Sequence, residues 1–475
     1  MIKPVHGLRA SLVVVATAAW PACAADIGDL VDARRDQAIA IASDIFDYAE
    51  LGYLEKRSSA RLAKYLADNG FAVEAGVAGM PTSFIATRGS GRPVVALLAE
   101  YDALPGLSQA PVTRREPVVE DGAGHACGHH LFGSASATAG IAVADWLAAT
   151  GKSGTVRVYG TPAEEGGSGK VYLTRAGLFD DVDVALHWHP NDRNVAVPES
   201  SNANKSARFT FRGIAAHAAA APHRGRSALD GVEAMNHMTN LMREHMPSTA
   251  RMHYIITDGG RAPNIVPERA QVYYYVRHPR PETVEELFER VVAAAQGAAL
   301  GTGTHMSYEV MHGNFPLLPN ETLAKVIHEH LKAAGGVAYD EGETAFAQAI
   351  QKSLFGRIRP LSSARETQPF EFRQKTGSTD VGDVSWTVPT AGFGTATWVP
   401  GTTAHSWQAV AAGGMSIGHK GMMLAANILA ETARELIDNP RLIAAATKEF
   451  HERRGEGFEY RPLLGDREPP LDYRQ

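Results

Sequence analysis

Three apolar runs of strand length each lead straight into side chains that bind metals or move protons, and this coincidence constrains the fold more than any other feature. The run RPVVALLAEYDALPG reaches Glu100 and Asp102, GTVRVYGTPAEEGGSG reaches Glu164 and Glu165, and VDVALHWHP reaches His187 and His189. Helical patterns lie between them, LFGSASATAGIAVADWLAA after the first run and GKVYLTRAGLF after the second. Alternating strand and helix predicts an α/β unit: a mostly parallel sheet with helices on both faces, its functional groups gathered beyond the carboxyl ends of the strands. The polar residues fall where that rule puts a site. Adjacent glutamates are ordinarily a solvated surface pair, but these follow an apolar strand and precede a glycine-rich turn. Neighbouring side chains diverge, so one can bind an ion while the other faces water or substrate. His187 and His189 share a strand face, and spacing does not choose between them.

The middle of the chain breaks this pattern. From about Asn204 to Gly313 the order is strand (SARFTFRG), helix (ALDGVEAMNHMTNLMREHM), two strands (RMHYIITDGG and AQVYYYVRHP), helix (ETVEELFERVVAAAQGAA) and strand (THMSYEVM). That β-α-β-β-α-β order predicts a ferredoxin-like α+β layer, a four-stranded antiparallel sheet with two helices on one face. Met235, Met238 and Met242 recur there at helical spacing and read as core. The α/β pattern resumes with ETLAKVIHEHLKAAG. The expected organisation is an α/β domain in two stretches, 25–203 and 314–440, which carries the strand-end groups, around an inserted domain at 204–313. Residues 441–475 form a C-terminal extension whose tail, RPLLGDREPPLDYRQ, reads as poorly ordered.

At 475 residues with 44% hydrophobic side chains, the chain has enough apolar content for two or three cores. A net charge of −6, without a long block of either sign, leaves no electrostatic footprint for nucleic acid or an anionic membrane. The N-terminus departs from this ordinary composition. Lys3 and Arg9 precede the apolar run ASLVVVATAAW, and Ala22, Cys23 and Ala24 offer the small residues a signal peptidase reads. The run is well short of the roughly 20 apolar residues of a spanning helix. A signal peptide, residues 1–24, cleaved after Ala24 is expected, with a mature protein that is periplasmic or secreted and free of the membrane.

Cleavage leaves Cys127 as the only cysteine. In an oxidising compartment a lone thiol is buried and inert, reactive, or bound to a metal. It stands in DGAGHACGHHLFG; if that segment is extended, His125, Cys127 and His129 project to one side. A thiolate and an imidazole aimed together suit zinc, and the glycines at 122, 124 and 128 let the backbone bend around an ion. A metal site and a buried cysteine among hydrogen-bonded histidines both fit this segment.

Seven segments together resemble the aminoacylase, glutamate carboxypeptidase and auxin-conjugate hydrolase family of metallopeptidases: AEYDALPG, GHACGHHLFG, TPAEEGGSGK, DVALHWHP, RGIAAHAAAAPHRGRSALD, APNIVPE and GTTAHSW. GSTDVGDVSWTVPT looks like the branch that contains the B-type component of p-aminobenzoyl-glutamate hydrolase. The resemblance covers nearly all of the mature chain, in order. It implies two divalent metal ions per subunit, zinc or manganese, with Cys127 bridging them and His129, Glu165, His189 and His405 as further ligands. It makes Glu164 the general base and Asp102 the carboxylate that orients a ligand imidazole. His187 then falls on a non-ligand position. A lone loop histidine such as His217 is ordinarily solvated; the match to the family's lid motif instead implies that it reaches the partner's active site and binds the reacting group. Asn264 resembles a second lid residue that contacts substrate, and Arg277 is a further candidate for the substrate carboxylate. The lid implies a homodimer or higher homo-oligomer.

One departure stands out: His130 occupies the place where the family commonly has a carboxylate after CGH, and Glu100 is a candidate to compensate. The expected activity is hydrolysis of the amide of an N-acyl, preferably N-aroyl, amino acid or a related small conjugate. Two rival readings are a dipeptidase or aminopeptidase-like enzyme using the same chemistry, and a catalytically silent binding component of a heteromer.

Overall fold

Twelve strands appear in a computed structural model that describes residues 26–356 and 358–474. The expected signal sequence and its cleavage site after Ala24 lie outside the described residues. In chain order the strands are β1 (Ala72–Ala75), β2 (Phe84–Ser90), β3 (Val94–Ala99), β4 (Gly154–Gly160), β5 (Val184–Asn191), β6 (Glu199–Ser200), β7 (Ala203–Arg212), β8 (Arg251–Asp258), β9 (Arg269–His278), β10 (His305–Asn314), β11 (Arg373–Gln374) and β12 (Thr390–Ala396).

Six of them make one mixed sheet in the order β1-β2-β4-β3-β5-β12. The pairs β3–β4, β3–β5 and β5–β12 are parallel, and β1 and β2 run antiparallel at one edge. All six residues of β3, VVALLA, are buried, as a central strand covered on both faces requires. Its alternate residues serve two cores. Val95, Leu97 and Ala99 pack with the helices His129–Thr150 and Ser416–Asp438; Val94, Ala96 and Leu98 pack with Val171, Leu173 and Val384 on the other face. The helix His129–Thr150 is apolar enough to cross a membrane, yet 89% of its most apolar window is buried inside the protein. It is a core helix, apolar all round because it is covered all round.

The inserted layer is an antiparallel sheet ordered β10-β7-β9-β8, backed by the helices Ala228–Met242 and Pro281–Thr302. Along β9 every second residue is buried, so Ala270, Val272, Tyr274 and Val276 form the face beneath the helices. Met235 and Met242 join this core, but Met238 is 41% exposed, contrary to the expectation for all three. Helical spacing places it beside the other two, yet it has turned past the edge of the buried stripe.

The C-terminal tail departs further from expectation. Pro440–Arg454 is a helix, and the chain then folds back over the junction of the two units. Leu463 is buried in the lid core and Leu464 in the catalytic core. A Cβ on Gly313, where β10 leaves the lid, would stand 2.6 Å from the Leu464 nitrogen, so the tail crosses the seam in close backbone contact. Its proline-rich composition suggests disorder, but a few apolar anchors reach pockets that only the folded junction provides.

Candidate metal centre and active site

The strand ends deliver their polar residues to one place. Glu100 follows β3, Glu164 and Glu165 follow β4, and His189 lies near the end of β5. Cys127 and His129 come from the loop and first turn ahead of the long core helix. Gly128 makes this possible: its φ is +78°, and a Cβ there would meet Pro190 at 2.7 Å. The segment is therefore a turn and not the extended strand on which His125 would project with the other two. His125 instead directs Nε2 at the Ile45 carbonyl, 2.9 Å away.

Donor atoms of Cys127, His129 and His189 all lie within 4.8 Å of one another, as do those of Cys127, Glu165 and His405. The shared cysteine joins the two sets. Its Sγ stands 3.4 Å from His189 Nε2, and His405 Nε2 stands 3.1 Å from Glu165 Oε1. A third set, Glu100, His129 and Glu164, adjoins the first through His129. Asp102 spans the assembly: Oδ1 meets His129 Nδ1 at 2.8 Å, and Oδ2 accepts from the Glu165 backbone N–H at 2.9 Å.

The electrostatics favour a cation at this place. Burial pushes the Cys127 thiol up, and Glu165 adds to the effect. Burial opposes charge on His129, but Cys127, Glu100 and Asp102 outweigh it and lift its pKa well above the usual value. Loss of water, with Glu100 and Glu165 alongside, pushes Glu164 well above the usual carboxylate range. Buried His129 Nε2 and Glu165 Oε1 have Glu100 and His405 only 3.1 Å away, yet neither contact has hydrogen-bond geometry. One thiol, three imidazoles and a carboxylate, with unsatisfied donor atoms aimed inward, form a set that fits divalent ions of the zinc type.

His130 does not enter the site. It is buried beside Phe46, with Nε2 3.1 Å from the Gly413 carbonyl. Glu100 does enter it, 3.1 Å from His129 Nε2, and it brings a partner that no sequence pattern announced. Lys170, fully buried, places Nζ 2.6 Å from Glu100 and 2.7 Å from Asp380. Lys170 stands in GGSGK and Asp380 in GSTDVGD, both within segments that carry the family resemblance, but no local pattern pairs residues so far apart.

A cavity of about 240 Å³ opens beside these groups, lined by Glu164, Cys127 and His405 and by apolar Phe132, Val197 and Phe393 among others. His187 lines it too, in none of the donor sets, its ring against Gly392 of β12. Arg277, on β9, reaches the rim: its guanidinium lies 3.4 Å from the hydroxyl of Ser378, a lining residue. His217 and Asn264 do not line the cavity. They lie in two exposed lid loops that meet, where His217 and Ile265 form a β-bridge, Ala218 N–H donates to the Asn264 carbonyl, and His217 Nδ1 accepts from Ala219 and Ala220.

Residues 201–302 match the peptidase dimerisation domain of the M20 type. Over 453 residues the chain is 40% identical to the B-type component of p-aminobenzoyl-glutamate hydrolase from Escherichia coli (strain K12), covering 90% of this chain and 94% of that protein. It is 30% identical over 436 residues to the Xaa-Arg dipeptidase of Mus musculus, covering 88% and 90%. Among solved structures, a dinuclear metal-binding M20 peptidase from Bacillus subtilis superposes with a TM-score of 0.57 at 18% identity, covering 86% of this chain and 99% of its own. Its likeness is one of fold, whereas the sequence identities establish descent: this chain belongs to the M20 peptidase family of hydrolases.

Proposed function

We propose that this chain hydrolyses the amide bond of N-aroyl amino acids, p-aminobenzoyl and benzoyl conjugates first among them. The observation that carries the proposal is the pair of donor sets sharing Cys127, with Glu164 lining the cavity beside them. Cys127, His129 and His189 would hold one divalent ion and Cys127, Glu165 and His405 a second, as zinc or manganese. Bound there, the ions supply a polarised carbonyl and a hydroxide near neutral pH.

Glu164, which lines the cavity beside the donor sets, takes the proton from water and returns it to the leaving amine. Asp102 holds the His129 ring by Nδ1 and leaves Nε2 facing the centre. The apolar walls accept the aryl ring. Arg277 at the rim, with Asn264, reads the leaving amino acid's carboxylate. His217 and Asn264 are exposed and away from their own cavity, which supports a homodimer in which the partner's lid supplies them and His217 steadies the developing oxyanion. The N-terminal pattern supports export to the periplasm or beyond.

The test is an assay of the purified chain alone, with added Zn²⁺ or Mn²⁺, comparing kcat/KM for an N-aroyl amino acid and its carboxamide. The acid is expected to win by about 10–100-fold, because a site built to pair a carboxylate leaves donors unmet without it. Equal rates remove the carboxylate reading. A preference for substrates with a free α-amine favours the dipeptidase reading, in keeping with the dipeptidase relative. Activity only after adding a related chain favours a heteromer, in keeping with the E. coli relative, which is named as one component of its hydrolase.

A further inference from the structure

The loop that carries the glutamate pair is unusually constrained. Ala163 (φ +56°) and Ser168 (φ +60°), neither a glycine, both sit in the left-handed region and bracket Glu164 and Glu165. Such conformations persist only where the surroundings over-determine them. Three contacts from the catalytic domain contribute. Ala163 N–H donates to Glu55 at 2.8 Å, Tyr53 donates to the Gly167 carbonyl at 2.7 Å, and Glu165 N–H donates to Asp102.

Further contacts come from Tyr473 and Arg474 of the C-terminal segment. Arg474 donates to the Glu165 carbonyl at 2.6 Å and Tyr473 donates to the same oxygen at 3.1 Å. The Tyr473 ring meets Tyr53 edge to face at 5.7 Å, and its hydroxyl stands only 2.2 Å from where a Cβ on Gly52 would be. Both backbone polar groups of Glu165 are thus held, its N–H by Asp102 and its carbonyl by the tail. Asp102 also holds His129, so the tail end is linked through hydrogen bonds to two of the donor residues.

Several anchors guide the tail to this point. Arg175 donates to the Gly465 and Arg467 carbonyls, Arg467 donates to the Met311 carbonyl on β10 and pairs with Glu309, and Tyr460 donates to Asp383. The tail touches the lid, crosses the seam and reaches the glutamate loop at Tyr473 and Arg474.

We propose that the C-terminal segment is a clasp, and that Tyr473 and Arg474 are positioning residues that hold the Glu165 peptide so that its carboxylate is aimed at the metal centre. The inference rests on the proposed role of Glu165 as a ligand. Residues that orient a ligand from outside commonly change metal affinity by about 10–100-fold when removed, without touching substrate. A tail that merely covered apolar surface would change stability and leave metal affinity alone.

The experiment measures zinc affinity by competition with a chromogenic chelator, alongside thermal unfolding of the metal-free protein. Four chains are compared with wild type: one ending at Gly465, the double variant Tyr473→Phe/Arg474→Ala, Arg474→Lys, and Glu165→Gln. The truncated chain and the double variant are expected to bind zinc about tenfold more weakly, with KM unchanged at saturating metal. Arg474→Lys, which keeps a donor, should recover part of the loss. If truncation unfolds the metal-free chain, the double variant, which changes only two terminal side chains, decides. Wild-type zinc affinity in the double variant overturns the clasp, provided Glu165→Gln has lost affinity. Wild-type affinity in Glu165→Gln overturns instead the ligand assignment on which it rests.

Discussion

The catalytic domain and the lid treat their polar residues in opposite ways. In the catalytic domain Asp102, His129 and Glu100 are buried and tied to one another, and the donor sets close within a single chain. In the lid His217 and Asn264 stand in exposed loops, and the edge strand β8 leaves Ile255 63% exposed and Ile256 45% exposed. A buried, preorganised cluster suits chemistry that needs fixed charges in a dry site. An exposed pair beside uncovered apolar residues suits a surface that works when something docks against it. On the proposed reading, one chain supplies the metal half of the site and a partner's lid completes the substrate half.

The largest effect on the metal half is expected from Glu164→Gln. The amide keeps the shape but takes no proton, so kcat should fall by about 10²–10⁴-fold while metal content stays. Glu165→Gln should lose metal as well. Metal analysis beside steady-state kinetics separates the two, and equal metal loss in both would remove the general-base role from Glu164.

Cys127→Ala attacks the shared donor. An ion bound only by the folded protein at about 1,000 times its Kd adds about 4 kcal/mol of stability, so activity, metal content and the metal-dependent part of Tm should fall together. Calorimetry with and without a chelator reads this. A fully metallated, active variant would sink the assignment.

The lid half is tested by mixing. His217→Ala alone should lower kcat by about 10²–10³-fold, the scale of a lost oxyanion donor. Combined with the Glu164→Gln chain after exchange of protomers, it should recover about a quarter of wild-type activity, because half the dimers are mixed and each has one intact site. No recovery in a sample shown to have exchanged would place the action of His217 within its own chain, or nowhere in catalysis.

The smallest effects lie inside the lid and bear on the same contrast. Met235→Ala should cost about 2–5 kcal/mol, since it empties a fully buried position, whereas Met238→Ala should stay within about 0.5 kcal/mol. Chemical denaturation of each variant reads the difference. Comparable losses would mean that Met238 is covered in solution, as it would be if a partner lay over that face.

Strand ends were legible because their signals are local. A two-residue period marks a strand, an apolar run of about six marks a buried one, and the polar residue that follows lands at the carboxyl end of the sheet. That reasoning reached Glu100, Glu164, Glu165 and the pair His187 and His189, between which the family motif chose, and, with the inserted β-α-β-β-α-β order, the two-part architecture. The family motifs added His405, which follows no strand pattern and adopts a φ of +60°. The sequence left open whether the segment of Gly128 is extended or bent, because three alternating residues fit a strand and the glycines fit a turn; Pro190, in the space a side chain would need, decides for the turn. The Lys170–Glu100–Asp380 network and the grip of Tyr473 and Arg474 on Glu165 escaped altogether. They join residues distant along the chain, and a buried charge or a terminal hydrogen bond has no periodicity to announce it. Their positions follow from which surfaces remain open once the sheet and lid have packed, a property of the assembled fold and not of any one segment.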